Sequence, residues 1–316
     1  MLTRIRQSGT LLGLIGIIVF FAVQLPDTFL TARNLLNVSQ QISMLAVTAF
    51  TMTIVMVMGD FDLSVGSTAS LAGIAAAVIF AAGLPVWAGV AAALAVGVAG
   101  GLFNGVLVAY VGILPFIATL STLTMFSGTA FLISDGKTIF GRDIPAEFAG
   151  FARSGLPLWD GVSLPLMTIA ALIVLAVVFV ILEHTTYGRR LYAIGGNIQA
   201  AELAGLNVRR LRLSAFALTG LGAAMAGLMY ASRVASANPT QGAGLMLDAI
   251  AAVFLGMTMG RQGEPHVMAT LVGVLILGVL DNGLTQMNVD SYVREILIGA
   301  IVVAAVALSS FGRRQV

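Results

Sequence analysis

The sequence predicts an all-α integral membrane protein of about ten transmembrane helices, and three observations carry that reading. Of the 316 residues, 59% are hydrophobic and only 9% are charged, where a soluble domain carries about 25% charged residues. Apolar runs close to the roughly 20 residues that a bilayer-spanning helix requires recur along the whole chain. The arginines gather at the ends of those runs rather than on one face, and their clusters fall on one side, as the positive-inside bias demands. With a mean hydropathy of +1.01, the chain leaves no room for a separate soluble domain, and residues 1–316 read as one transmembrane domain.

The first span is expected near 10–25. Arg4 and Arg6 precede the apolar run Leu11 to Val23 in the manner of a signal peptide, but Ala22-Val23-Gln24-Leu25-Pro26 offers no small-residue cleavage pattern. An uncleaved helix with a cytoplasmic N-terminus is therefore expected. Further spans follow near 35–58, 63–82, 86–111, 114–134, 163–182, 212–235, 245–260, 265–284 and 292–311. The segments 63–82 and 245–260 are short or rich in Gly and Ser, so each reads either as a full span or as a broken helix lining a cavity. An even count returns both termini to the cytoplasm. Ten arginines then lie inside: Arg4, Arg6, Arg189, Arg190, Arg209, Arg210, Arg212, Arg261, Arg313 and Arg314. Six basic residues lie outside: Arg33, Lys137, Arg142, Arg153, Arg233 and Arg294.

Two hydrophilic stretches interrupt the spans. The outer one, 135–162, holds Gly136, Pro145, Gly150, Pro157, Trp159 and Gly161 and reads as a folded loop at the membrane interface. The inner one, 183–212, contains a short helix-like piece from Asn197 to Leu206, rich in Ala, Glu and Leu.

Few residues offer chemistry. Cysteine is absent, which removes disulfides and thiolate chemistry together. His184 and His266 lack metal-ligand spacing, and a metal site is not expected. Gly136-Lys137-Thr138 matches the end of a phosphate-binding loop, but Phe131 stands where that pattern needs glycine. The chain is therefore expected to bind no cofactor of its own. The net charge of +2 reflects segment-end arginines and gives no nucleic-acid footprint.

Glycines 97, 101 and 105 recur every fourth residue and are expected to let a neighbouring helix approach closely. Asn104 on the same segment either bridges helices or faces a wet pathway. Asp60, Asp62, Asp248 and Asp281 fall at expected span ends and read as caps and interface groups rather than a proton relay, because an aspartate at a helix centre costs about 3 kcal/mol. Asp62 with Ser64 is expected to cap the third span and Asp248 the eighth.

Ordered segments then carry a resemblance. Asp60-Phe61-Asp62-Leu63-Ser64-Val65-Gly66-Ser67 is similar to the [GD]-x-D-L-S-V-G-S signature of permeases of the ribose type of ABC sugar importer. Pro115-Phe116-Ile117-Ala118-Thr119-Leu120 resembles that family's P-F-I-A-T-L. His184-Thr185-Thr186-Tyr187-Gly188-Arg189, Tyr192-Ala193-Ile194-Gly195-Gly196-Asn197, and Ala200-Ala201-Glu202-Leu203-Ala204-Gly205-Leu206-Asn207-Val208 resemble its cytoplasmic loop. Pro239-Thr240 and Leu247-Asp248-Ala249-Ile250-Ala251-Ala252-Val253 continue the agreement, which runs in order from about residue 35 to 285. One segment departs: where the family shows G-G-[TS]-S-x-x-G-G, this chain reads Gly256-Met257-Thr258-Met259-Gly260-Arg261-Gln262-Gly263-Glu264.

The resemblance implies a ten-helix permease half of the ribose and vitamin B12-like type in a bacterial inner membrane. It also implies an identical or related second half, ATP-binding subunits that use ATP and Mg, and an extracytoplasmic sugar-binding protein. The stretch Ala200 to Val208 is then the expected coupling helix to the ATPase, its small residues letting that subunit approach. Gln40, Gln41, Asn104, Phe116, Thr119 and Asn282 are the expected translocation-path candidates, and Asp62, Leu63, Ser64, Val65 and Gly66 form the family motif. An ion-coupled secondary transporter would need intramembrane carboxylates or unwound ion sites. A membrane enzyme would need a catalytic constellation, and no Ser/His, His/His or paired-Asp spacing suits one.

Overall fold

The computed structural model describes residues 2–159, 162–259 and 264–311, with side chains described from 10 to 158, 162 to 259 and 264 to 303. Every expected span contains a helix: α1 (Leu2–Gln24), α2 (Ala32–Met56), α3 (Val65–Ala81), α4 (Val86–Val106), α5 (Pro115–Ser134), α7 (Leu166–Phe179), α10 (Val208–Val234), α11 (Leu245–Met257), α12 (Val267–Gln286) and α13 (Ser291–Phe311). Three shorter helices, α6 (Ala146–Arg153), α8 (Thr186–Gly196) and α9 (Ile198–Leu203), lie between them. Among the described residues, six of the long helices are apolar and long enough to cross a membrane, counting α4 and α7 with the π-helical turns that extend them to Val111 and His184. The first, third and eleventh contain shorter apolar stretches.

Of the six, α2, α10 and α12 are the most buried and form the centre together with the largely buried α3, and α4, α5 and α7 present apolar flanks. One cluster of buried apolar side chains runs from Leu14 and Phe21 on α1 through α2, α10 and α11 to Leu280 on α12. A second gathers Ala72, Phe80, Ala93, Phe148 and Ala224. α10 packs most extensively on α4, because glycines remove side chains from both surfaces. A Cβ at Gly101 would run into the Phe216 carbonyl, and one at Gly97 would meet Gly220 and Ala224. The expected role of the glycine series is thus the observed one, with Gly105 against Leu213 completing the seam.

The two doubtful segments prove to be the short ones, α3 with 17 residues and α11 with 13. Their N-terminal ends meet. Gly66 and Gly242 are in backbone contact, where a Cβ on either would strike the other's carbonyl, and the Ser70 hydroxyl accepts from the Gly242 amide at 2.8 Å. The chain before α11, from Asn238 to Gly244, therefore tucks in beside α3 instead of staying at the end of α10.

The stretch expected as an outer loop from 135 to 162 is more structured than the sequence indicated and runs on to Pro165. It contains β1 (Ile139–Phe140), α6 and a hairpin of β2 (Gly155–Trp159) with β3 (Val162–Pro165), while β1 pairs with β4 (Ser236–Ala237) beyond α10. Asp160 and Gly161 at the hairpin tip lie outside the described residues. α6 is anchored to α10: the buried Ser232 hydroxyl donates to the Phe148 carbonyl at 2.6 Å and accepts from the Ala152 amide at 3.2 Å.

Candidate functional site

Two regions hold the sequence-predicted site residues: the α8–α9 end of the bundle and the motif between α2 and α3.

At the first, the expected loop 183–212 is largely helical. α8, which the sequence reading did not separate, starts on the Thr185 side chain, which accepts from the Gly188 amide at 3.2 Å. It buries Leu191 and Ile194, three residues apart on one face, against the bundle. Gly195 lies on the Val57 carbonyl, too close for any side chain, so α8 is seated on the turn after α2. Tyr192 donates to Glu183 at 3.0 Å, with the Pro265 carbonyl at 3.1 Å, and His266 Nε2 lies 3.2 Å from the same carboxylate. Burial, and then the neighbouring Glu183 charge, push the Tyr192 hydroxyl above its ordinary range, so it stays a donor. These contacts tie α7, α8 and α12 together.

The expected helix-like piece is α9, capped by Asn197, whose side chain accepts from the Ala200 amide at 2.9 Å. Its C-terminus closes with Gly205 N–H on the Glu202 carbonyl and Leu206 N–H on the Ala201 carbonyl, the pair of bonds that a left-handed residue permits. Gly205 has φ +82° accordingly. Of the small residues expected on its face, Ala201 is buried against the protein, whereas Ala200, Ala204 and Gly205 are exposed, with Glu202 and Asn207 beside them. Leu203 is 90% exposed, the highest value among the exposed large apolar side chains. α9 ends in an apolar knob on a polar, exposed turn. Leu206 is half-buried, and Val208 is buried as the first residue of α10. α10 thus begins four residues before the expected span start, because the Asn207 side chain caps it, accepting from the Arg210 amide at 3.0 Å. Arg209, Arg210 and Arg212 belong to that helix, not to the loop.

Arg212 reaches back to Asp60. Its Nε and a terminal nitrogen bond the two carboxylate oxygens at 2.8 and 2.9 Å, with Asp60 buried. Two residues on, the family motif forms a buried polar network. Asp62 Oδ1 accepts from the Ser64 amide at 2.9 Å, the Ser64 hydroxyl at 2.6 Å and Asn104 Nδ2 at 3.4 Å. Asn104 also donates to Ser64 Oγ at 2.8 Å and accepts from Thr122 at 2.7 Å. Thr119, on the same helix as Thr122, donates to the Pro115 carbonyl at 2.7 Å and faces the Phe61 carbonyl at 3.4 Å. Asp62, Ser64, Val65, Gly66, Asn104, Thr119 and Thr122 are all buried, as is Leu63. Asn104 therefore bridges helices within this chain, and Asp62 holds the residue that starts α3. Ser64 occupies the cap position of α3 but its side chain makes no capping bond, and Asp248 sits in the first turn of α11 without one, Gly244 occupying the cap position there; neither expected cap is formed.

The remaining path candidates are scattered. Gln40 donates to the Ala152 carbonyl at 2.5 Å and lines a cavity beside α6. Gln41 donates to Asp281 at 2.7 Å, and Asp281 also pairs with Arg294 at 3.2 Å. Asn282 exchanges bonds with Asn34 at 3.1 and 3.2 Å. Phe116 is 57% exposed on the flank of α5. The Gly136-Lys137-Thr138 turn holds only a surface pair, Lys137 with Asp135 at 2.6 Å. Among the described residues, no group of His, Asp and Glu could hold a metal. The departure at Gly260 to Gly263, and the arginines Arg261, Arg313 and Arg314, lie outside the described residues, as do the side chains of Arg4, Arg6 and Trp159.

Comparison with known proteins agrees with this architecture. The family described as the permease component of the branched-chain amino acid transport system matches residues 34–306. The ribose import permease RbsC of Escherichia coli K12 is 39% identical over 94% of this chain and 92% of its own length. RbsC of Bacillus subtilis is 35% identical over 96% and 92%. The L-arabinose permease AraH of E. coli K12 is 35% identical over 98% and 92%. No solved structure matches significantly. The match to that family's model over most of the length, together with near-complete coverage of these relatives, establishes that the chain belongs to the family of binding-protein-dependent import permeases that includes the ribose and arabinose permeases.

Proposed function

We propose that this chain is one permease half of an ATP-driven monosaccharide importer in a bacterial inner membrane, spanning it with about ten helices and both termini cytoplasmic. The α8–α9 end is then cytoplasmic and the α6 end faces outward. The observation that carries the reading is α9, a capped turn of helix that offers an exposed Leu203 beyond an α8 seated on the bundle. An apolar knob on a capped, polar turn suits insertion into a partner's groove, and a rigidly seated α8 transmits a push on it to the turn after α2. The ATP-binding subunit is that partner. ATP and Mg act there, and this chain performs no covalent chemistry.

The sugar is expected to be ribose, arabinose, allose or a related polyol, by likeness to the ribose, arabinose and allose permeases at 31–39% identity. A sugar-binding protein delivers it to the α6 end, and it crosses between this chain and a second permease half, identical or related. The Asp60 carboxylate has both oxygens bound by Arg212, which leaves it poorly suited to the ion coupling of a secondary transporter.

Reconstitution into liposomes tests this. With its ATP-binding subunit, binding protein and ATP, the permease is expected to accumulate labelled pentose, and without ATP it is expected to accumulate none. Uptake by the chain alone along a proton or sodium gradient would overturn the proposal.

A further inference from the structure

The positive-inside bias leaves six basic residues on the α6 side, and the fold disposes of them unequally. Lys137 pairs with Asp135 and Arg294 with Asp281. Three others, Arg33, Arg153 and Arg233, are far apart in sequence yet line one cavity of about 700 Å³. Its described lining contains no carboxylate, and among the described residues none of the three has an ion-pair partner. The same wall carries Asn37, Gln40 and Ser163.

The basin is built rather than incidental. Ser232 clips α6 to α10, which sets Arg153 beside Arg233, and Gln40 clips the Ala152 carbonyl to α2, which brings in Arg33. Arg153 and Arg233 lie in the last turns of α6 and α10, where a cation is favoured by the helix dipole. Arg33 is the second residue of α2, the end of a helix where a cation is disfavoured. Three guanidiniums lining one cavity without a carboxylate in its described lining, one of them against its own helix dipole, form an arrangement that an anion would relieve. The volume is that of a small-molecule site, and the amide and hydroxyl groups beside the arginines suit hydroxyls.

We propose that this basin is a binding site for a small hydroxylated anion, a carboxylate or phosphate carried on a polyol. Such a group can come from a soluble sugar acid or from the headgroup of phosphatidylglycerol. The proposal goes beyond the importer reading and does not depend on it, because binding is measured on the permease alone.

The test uses the purified full-length protein. Calorimetric titration with D-gluconate and with inorganic phosphate is compared with neutral D-ribose, and native mass spectrometry follows phosphatidylglycerol against phosphatidylcholine carried from mixed nanodiscs. Wild type is expected to bind at least one anionic probe, more weakly as salt rises, with no matching affinity for ribose at this site. Arg153→Gln and Arg233→Gln are each expected to weaken that binding about 10-fold. Arg142→Gln, which changes an outer arginine absent from the basin lining, is expected to leave it unchanged. Should a variant fold poorly, Arg153→Lys retains charge without the bidentate fork and is expected to fall between. Gluconate binding identifies a soluble ligand, and selective retention of phosphatidylglycerol identifies the lipid. Equal binding by wild type and both Gln variants overturns the site. If neither probe binds while the Gln variants lose affinity for the binding protein, the basin is a protein-docking surface and the small-anion assignment fails.

Discussion

The motif between α2 and α3 and the tip of α9 are both segments that a reader of the sequence would mark as functional, yet their structures are opposite. At the motif, Asp62 Oδ1, Ser64, Asn104 and Thr122 hydrogen-bond one another out of contact with solvent. At α9 there is one buried anchor, Ala201, and an apolar side chain in the open. The difference separates two reasons for a sequence signature. A buried network in a low-dielectric interior is costly to disturb and specifies where the helices sit, whereas an exposed knob contributes little to the chain's own stability and has value only against another surface. Substitutions should therefore divide the same way.

The largest expected effect on the chain itself follows Arg212→Ala. It strands the buried Asp60 carboxylate, which costs about 3 kcal/mol, seen as a lower unfolding temperature in detergent. The Asp60→Asn/Arg212→Gln pair should recover part of that loss; no recovery would mean that the ion pair is not the cause. Gly101→Val comes next, at about 2 kcal/mol for overpacking, since the seam between α4 and α10 has no space above that glycine. Gly128→Val, at a site with nothing within 4 Å, is its control and should be tolerated. Asn104→Ala should cost about 1 to 2 kcal/mol by removing both the donor to Asp62 and the acceptor for Thr122. An unchanged unfolding temperature there would move Asn104 back toward the pathway. The smallest stability effect, within about 0.5 kcal/mol, is expected for Leu203→Asp.

The sequence made the helices legible because apolar runs of bilayer length have few other uses. It also gave the α4 seam, since glycines four apart mark one helix face. α8 was hidden because it is short, amphipathic over barely three turns and carries Gly188, Gly195 and Gly196, which look like loop residues until Gly195 is seen against Val57. A signal was present in Leu191 and Ile194 following the Thr185 cap. The pathway candidates were chosen on polarity alone, which does not distinguish Asn104, sealed between three helices, from Gln40 at the edge of a cavity. The arginine basin could not have been read from sequence at all, because Arg33, Arg153 and Arg233 come to one cavity only once α2, α6 and α10 are packed.

Gly205 would be a poor probe of α9, since φ +82° strains any other residue whatever its partners. Leu203 is the better one. The decisive measurement compares wild type with Leu203→Asp for unfolding temperature, affinity for the ATP-binding subunit and ATP-driven pentose uptake in liposomes. The account predicts an unchanged unfolding temperature with subunit affinity and uptake each reduced about 10-fold or more, in line with loss of a central apolar anchor. Full assembly and full uptake by Leu203→Asp would contradict it.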